Sequence, residues 1–206
     1  MFIAGSGDPS RVSLAVDDLA GAVEPTTAED AARRAEIVIL ALPLGRYRTL
    51  PADALAGKLV IDATNYWWEV DGFPAEFTDP LTSSSEFVRD HLPRSRVVKA
   101  FNHMGYADLA DEARPSGHAA RKAIGIAGDD VDDLAIVARL VDDIGFDPVA
   151  VGTLADGVRL EPGTDPFGAD VGAAELRAMV DGFPRSQRGI RRAAALAAKT
   201  AAHPAE

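Results

Sequence analysis

Three short apolar runs set the pattern of this chain, and each breaks off into a turn of small or polar residues. They are Ile37–Leu42 into Pro43-Leu44-Gly45, Leu59–Asp62 into Ala63-Thr64-Asn65, and Val97–Ala100 into Phe101-Asn102-His103-Met104. Helical stretches separate them. Strand–helix alternation predicts an α/β fold, a mostly parallel sheet with helices on both faces. Such sheets hold their ligands in the crevice at the carboxyl ends of the strands, where these turns collect.

The remaining pattern fills in around that frame. Phe2–Ala4 reads as a strand, followed by the turn Gly5-Ser6-Gly7-Asp8-Pro9-Ser10 and a helix with Val12, Ala15, Val16 and Leu19 on one face, closed by Gly21. Ala22–Glu24 leaves room for a minimal strand only, and Thr26-Thr27-Ala28-Glu29 reads as a capping box. A weak helix is expected over Arg46–Leu55, then a long aromatic loop over Tyr66–Leu81. A second capping box, Ser83-Ser84-Ser85-Glu86, starts a helix ending near His91, and Gly105–Gly117 reads as another loop. The clearest unit is the strand Ala123–Ala127, the cap Asp129-Asp130, and a helix with Leu134, Val137, Val141 and Ile144 on one face. Gly145 stops that helix, and Pro148–Val151 follows as a strand. After the Gly/Pro-rich stretch Gly152–Gly172 comes a helix near Ala173–Asp181, and then a basic, alanine-rich end that either forms a helix or frays.

Composition narrows the function classes. A length of 206 residues allows one domain with a small appendage. The net charge of −11 is spread along the chain, which argues against a nucleic-acid surface. Without cysteine there are no disulfides or thiolate nucleophiles, so redox work needs a borrowed cofactor. The longest apolar run, Ile37–Leu44, is too short to span a bilayer, and the expected setting is cytoplasmic.

Taken in order, the phrases ALPLGRY, VIDATN, SSSEFV, RVVKAFNHMG, IAGDD and GFDPVAVGTLADGVRLEP resemble the NADPH-dependent coenzyme F420 reductases, also called F420-dependent NADP oxidoreductases. The resemblance runs from about Phe2 to Pro162. It implies a Rossmann-like domain that holds NADP(H), with coenzyme F420 as co-substrate and a small C-terminal helical portion. A hydride would pass between two flat rings that the protein holds face to face. The expected division is 1–152 for the Rossmann-like domain and 153–206 for the helical extension. The family also begins with a strand and a glycine-rich loop that receives the pyrophosphate. Spacing makes Phe2–Ala4 the second strand instead, because another βα unit of about 30 residues does not fit before Ile37. The chain is therefore expected to be N-terminally incomplete relative to the family, lacking its first βα unit, and to bind dinucleotide weakly.

The resemblance also assigns candidate sites. Ser6 matches the serine of a pair that grips the 2′-phosphate of NADP, while Gly7 stands in the arginine's place and Arg11 is the nearest basic residue. Leu42, Pro43 and Leu44 match the turn beside the nicotinamide ribose, and Thr64 and Asn65 match the next turn. Phe101, Asn102, His103, Met104 and Leu154 correspond to residues lining the deazaflavin pocket, with His103 the candidate proton donor. Each has a plain alternative: Pro43 ends a strand, Asn65 suits a turn, and a lone histidine is more often a loop residue. No metal-ligand spacing is present. The alternatives in function are a reductase with a flavin or small carbonyl acceptor, and a non-catalytic binding protein of the same fold. Small-molecule cofactors and a second copy of the chain are the expected partners.

Overall fold

In the computed structural model, residues 1–5, 12 and 23–202 are described. The helix expected over Val12–Gly21 falls almost wholly outside them, as do Ser6 and Arg11. Strands β3 (Ile37–Leu40), β4 (Leu59–Asp62), β5 (Arg96–Lys99), β6 (Ala123–Gly128) and β7 (Asp147–Gly152) form a five-stranded sheet in that order. The β3–β4, β4–β5 and β6–β7 pairs are parallel, and β5–β6 is antiparallel. The connection between β5 and β6, residues 100–122, holds one short helix, α5 (Tyr106–Asp111).

A separate two-stranded parallel sheet is made by β1 (Phe2–Ile3) and β2 (Glu24–Pro25). The helix α1 (Ala28–Arg34) secures it: the Arg34 guanidinium stacks 3.9 Å over the Phe2 ring and pairs with Glu24. Among the described residues, no strand bonds to the outer edge of β3. Its Ile39 is 51% exposed, whereas β4, paired on both sides, is buried throughout.

The helices cover both faces, as the alternation predicted. One core cluster gathers Leu40, Leu44, Val60, Val88 and Leu154, and a second gathers Ile61, Val98, Ile124, Val137 and Val141. The first lies under α2 (Ala52–Leu55) and α4 (Ser84–His91), the second under α6 (Val131–Asp143). Helix α6 is capped as expected, with the Asp130 carboxylate accepting from the Asp132 and Asp133 N–H groups. The capping box of α4 is present at Ser83 and Glu86, also as expected. For α1 the cap moves by one residue. Thr27, not Thr26, accepts from Asp30 N–H, and Glu29 turns outward to pair with Arg33.

Two segments expected as loops contain helix. The aromatic loop holds α3 (Trp68–Asp71) and a 3₁₀ turn at Ala75–Thr78, and the segment after β5 holds α5. The C-terminal portion consists of α7 (Ala173–Gly182) and α8 (Gln187–Ala202). Gly189 lets α8 start against the preceding turn, since a Cβ there would lie 2.0 Å from the Phe183 carbonyl oxygen. No described helix is long and apolar enough to cross a membrane.

Candidate functional site

Because β3, β4 and β5 are parallel neighbours, the turns that follow them emerge side by side. Two of those turns are tied directly. Asn65 Nδ2 donates to the Asn102 carbonyl at 2.8 Å, and Asn102 Nδ2 donates to Asn65 Oδ1 at 3.0 Å and to the Leu160 carbonyl at 2.7 Å. The Asp62 carboxylate accepts from Thr64 N–H at 2.9 Å, an Asx turn that fixes where the polar segment leaves β4. Phe101 adopts φ +65°, the left-handed region that a phenylalanine enters at a cost of about 1–2 kcal/mol. Phe101 is half-buried, and the turn it opens carries Asn102 back to Asn65.

Beside this rim opens a cavity of about 350 Å³, with Leu44, Tyr66, Trp67, Trp68 and Phe87 among its apolar walls and Ser84, Glu161 and Arg188 on its polar side. The T-shaped contact of Trp67 with Phe167, centroids 5.6 Å apart, fixes one wall. Thr64 Oγ1 and Asn102 Oδ1 are buried at the rim with no hydrogen-bond partner. Buried polar atoms are nearly always paired, and these two stand in the neighbouring turns after β4 and β5.

Below the rim lies a polar network that the sequence did not disclose. Lys99 ends β5 fully buried, its Nζ donating to the Thr64 carbonyl at 3.1 Å, Ser84 Oγ at 2.9 Å and Ser85 Oγ at 3.2 Å. The Asp62 carboxylate stands 3.6 Å from the ammonium and accepts from Ser85 Oγ at 2.5 Å. Ser84 donates through N–H and Oγ to Glu161, at 2.7 and 2.9 Å, and Glu161 pairs with Arg188 of α8. One continuous chain of contacts thus joins the Thr64–Asn65 turn to the C-terminal helix. A lysine closing the apolar run Val97-Val98 was the available signal.

The structure treats the expected site residues unequally. Pro43 precedes the 3₁₀ turn Leu44–Thr49, and Leu44 lines the cavity. Thr64, Asn65 and Asn102 meet at the rim. Phe101 and Met104 instead pack into the second core cluster, and Leu154 into the first, where its N–H donates to Asp129. His103 is buried. Its Nε2 accepts from Gly125 N–H at 2.8 Å, and Nδ1 faces the Pro166 carbonyl without a hydrogen bond of good geometry. Burial, helped by the Lys99 charge, pushes its pKa down from 6.5 to about 4, so the imidazole is neutral at pH 7. A neutral ring spent on a backbone N–H is a structural strut, which leaves the proton-donor role without support.

Residues 1–66 match the family model described as NADP oxidoreductase, coenzyme F420-dependent. The chain is 27% identical to metalloreductase STEAP3 of Rattus norvegicus over 161 residues, covering 77% of this chain but 30% of that protein. It is 37% identical to protein YjhV of Escherichia coli K12 over 86 residues, 41% of this chain and 61% of that one. The chain therefore spans less than two thirds of either relative. Among solved structures, protein SMa0349 of Sinorhizobium meliloti superposes with a TM-score of 0.67 at 29% identity, covering 82% of this chain and 80% of that one. A protein of Arthrobacter sp. FB24 bearing the name of an F420-dependent NADP reductase superposes with a TM-score of 0.61 at 23% identity, over 76% of each chain, a likeness of fold. The family model thus covers the amino-terminal third of the chain, and the Rossmann-like sheet shared with these solved structures continues beyond it.

Proposed function

We propose that this protein works in NADP-dependent hydride transfer, with the nicotinamide end of the dinucleotide over the Leu42–Leu44 and Thr64–Asn65 turns. The acceptor in this reading is a flat ring, coenzyme F420 in the family's case, entering the aromatic-walled cavity beside them. What supports the reading is the pair of orphaned atoms, Thr64 Oγ1 and Asn102 Oδ1, on adjacent turns, with the aromatic cavity opening at Tyr66, the residue after Asn65. Together they offer a hydroxyl and an amide oxygen, groups suited to a carboxamide or a ring carbonyl edge. When bound, the nicotinamide supplies or takes the hydride.

The chain's own residues then have positional work. Lys99 holds the Thr64 carbonyl, Asp62 holds the Thr64 N–H, and Asn65 and Asn102 hold each other, so the polar rim is set before a ligand arrives. Trp67 and Trp68 shield one side of the cavity from water. The reading includes weak dinucleotide binding, with a dissociation constant for residues 1–206 weaker than about 100 µM. A cytoplasmic setting and a homodimer belong to the same proposal.

The chemistry is tested by mixing the protein with millimolar NADPH and oxidised F420 and following the deazaflavin absorbance. Loss of that absorbance at a rate proportional to protein is expected. No loss with F420, alongside NADPH oxidation with a flavin or small carbonyl compound, moves the assignment to the alternative acceptor. Replacing Asn65 with alanine is expected to raise the NADPH requirement about tenfold, the equivalent of about 1.4 kcal/mol, with little change for the acceptor. An unchanged KM for NADPH would remove Asn65 from the site.

A further inference from the structure

The polar side of the aromatic cavity is a charged pair that the surrounding chain holds in place. Glu161 follows the 3₁₀ turn Leu154–Leu160 and is only 4% exposed. One of its carboxylate oxygens accepts from Ser84 N–H at 2.7 Å and from Ser84 Oγ at 2.9 Å, and the other pairs with Arg188. Arg188 in turn donates to the Pro162 carbonyl at 2.7 Å. Both side chains are anchored to backbone in this way, and both line the cavity. A carboxylate can accept about four hydrogen bonds, and these contacts use three. A guanidinium carries more N–H groups than the two that Glu161 and Pro162 occupy. An acceptor and a donor of fixed position therefore stand side by side at the edge of an aromatic-walled space.

Size and charge narrow what fits there. The volume of about 350 Å³ lies at the small end of ligand pockets, so the cavity takes one fused ring system rather than a whole dinucleotide. Tyr66, Trp67, Trp68 and Phe87 offer faces and edges for such a ring to pack on. The charged residues of the lining are Glu69, Glu161 and Arg188. The guanidinium is already balanced by Glu161, so an anionic group gains nothing by entering. A small ketone or aldehyde brings a carbonyl for Arg188 but no donor for Glu161, and it leaves most of the aromatic wall uncovered. A planar ring with an N–H beside a carbonyl on one edge satisfies both members of the pair.

We propose that the Glu161–Arg188 pair selects the ring this cavity admits by reading a cyclic amide or imide edge. The ring N–H donates to the Glu161 carboxylate, and the neighbouring ring carbonyl accepts from Arg188. Packing against the aromatic wall fixes the plane of the ring, and the two edge contacts fix its rotation within that plane. Ser84 connects this edge to the rim: its hydroxyl donates to Glu161 and accepts from Lys99, which also holds the Thr64 carbonyl. The inference rests on the placement of the acceptor ring under the proposed function and adds the chemical class of that ring. It does not depend on whether a hydride is transferred.

Both tryptophans of the chain, Trp67 and Trp68, wall the cavity, so their fluorescence reports a bound ring without any turnover. The full chain is titrated with lumiflavin, an uncharged ring whose N3–H lies between two carbonyls, and with its N3-methyl derivative. Lumiflavin is expected to quench saturably, and the methylated ring to bind about tenfold more weakly. Glu161→Gln keeps the shape of the side chain and an acceptor for Ser84 N–H but loses the second carboxylate oxygen. In that variant, with its far-UV circular dichroism unchanged, the two rings should bind within about twofold of each other. Equal binding of the two rings by wild type would overturn the edge reading, and this comparison needs no variant. A preference that survives in Glu161→Gln would assign it to the bulk of the methyl group and overturn it as well. Quenching by neither ring would overturn the inference together with the cavity as the acceptor's place. Rings bound with the expected preference but never reduced by NADPH would overturn the hydride reading alone and leave this inference standing.

Discussion

Replacing Lys99 with methionine is expected to cost about 3–5 kcal/mol of folding stability, the largest effect of any single substitution at the rim. The ammonium is fully buried and serves the Asp62 carboxylate, two serine hydroxyls and the Thr64 carbonyl. Methionine matches its length but supplies no donor, so a buried carboxylate keeps only the Ser85 hydroxyl and the Thr64 N–H. With total stabilities of about 5–15 kcal/mol, that loss approaches unfolding. Urea denaturation of the single variant and of the Asp62→Asn, Lys99→Met pair separates the pair from its surroundings. The double variant should recover at least 1 kcal/mol, because it no longer strands a charge. A single variant that loses less than about 1 kcal/mol would show that Lys99 does not hold this network.

The second large effect is in pH. His103 has a folded pKa of about 4 against an ordinary value of 6.5. Between those values the unfolded chain binds a proton that the folded chain refuses, so acid pulls the equilibrium toward the unfolded state. The stability linked to this group is whole above about pH 6.5. It falls as the pH drops and is lost at about pH 4, by roughly 3 kcal/mol in all. His103→Gln can still accept from Gly125 N–H through its amide oxygen and does not titrate. Its denaturation midpoint should fall less between pH 6.5 and pH 4 than that of the wild type. Equal slopes for the two proteins would mean that His103 is not held neutral.

How much of this was legible depended on where the determining contacts lay. Leu59–Asp62 matches its strand residue for residue because four consecutive positions are buried and apolar or tied to the following turn. The helix around Leu134–Ile144 announced itself through periodicity and an aspartate cap, both local signals. Helix α3 was hidden because a distant contact supports it. The Asp71 carboxylate accepts from Trp67 N–H within the helix and from Gly45 N–H, 26 residues away, both at 2.9 Å. The antiparallel β5–β6 pair was hidden because the strands look alike in either direction, and the 100–122 connection is long enough for either. At the site, Asn65 and Asn102 were legible as turn residues. Lys99, Ser84, Glu161 and Arg188 were not, since no local pattern reveals that Ser84 meets Glu161 at a separation of 77 residues. His103 misled for the same reason: its partner, Gly125, lies on a strand whose direction the sequence does not encode.

The rim made by the turns after β3, β4 and β5 is the surface on which every functional statement depends. Its most direct test is an NADPH titration of the ¹⁵N-labelled protein, followed by backbone amide shifts. Saturable shifts should cluster at Leu42, Leu44, Thr64, Asn65 and Asn102, with half-saturation above about 100 µM. Shifts confined to another face of the sheet, or none at millimolar NADPH, would contradict the assignment.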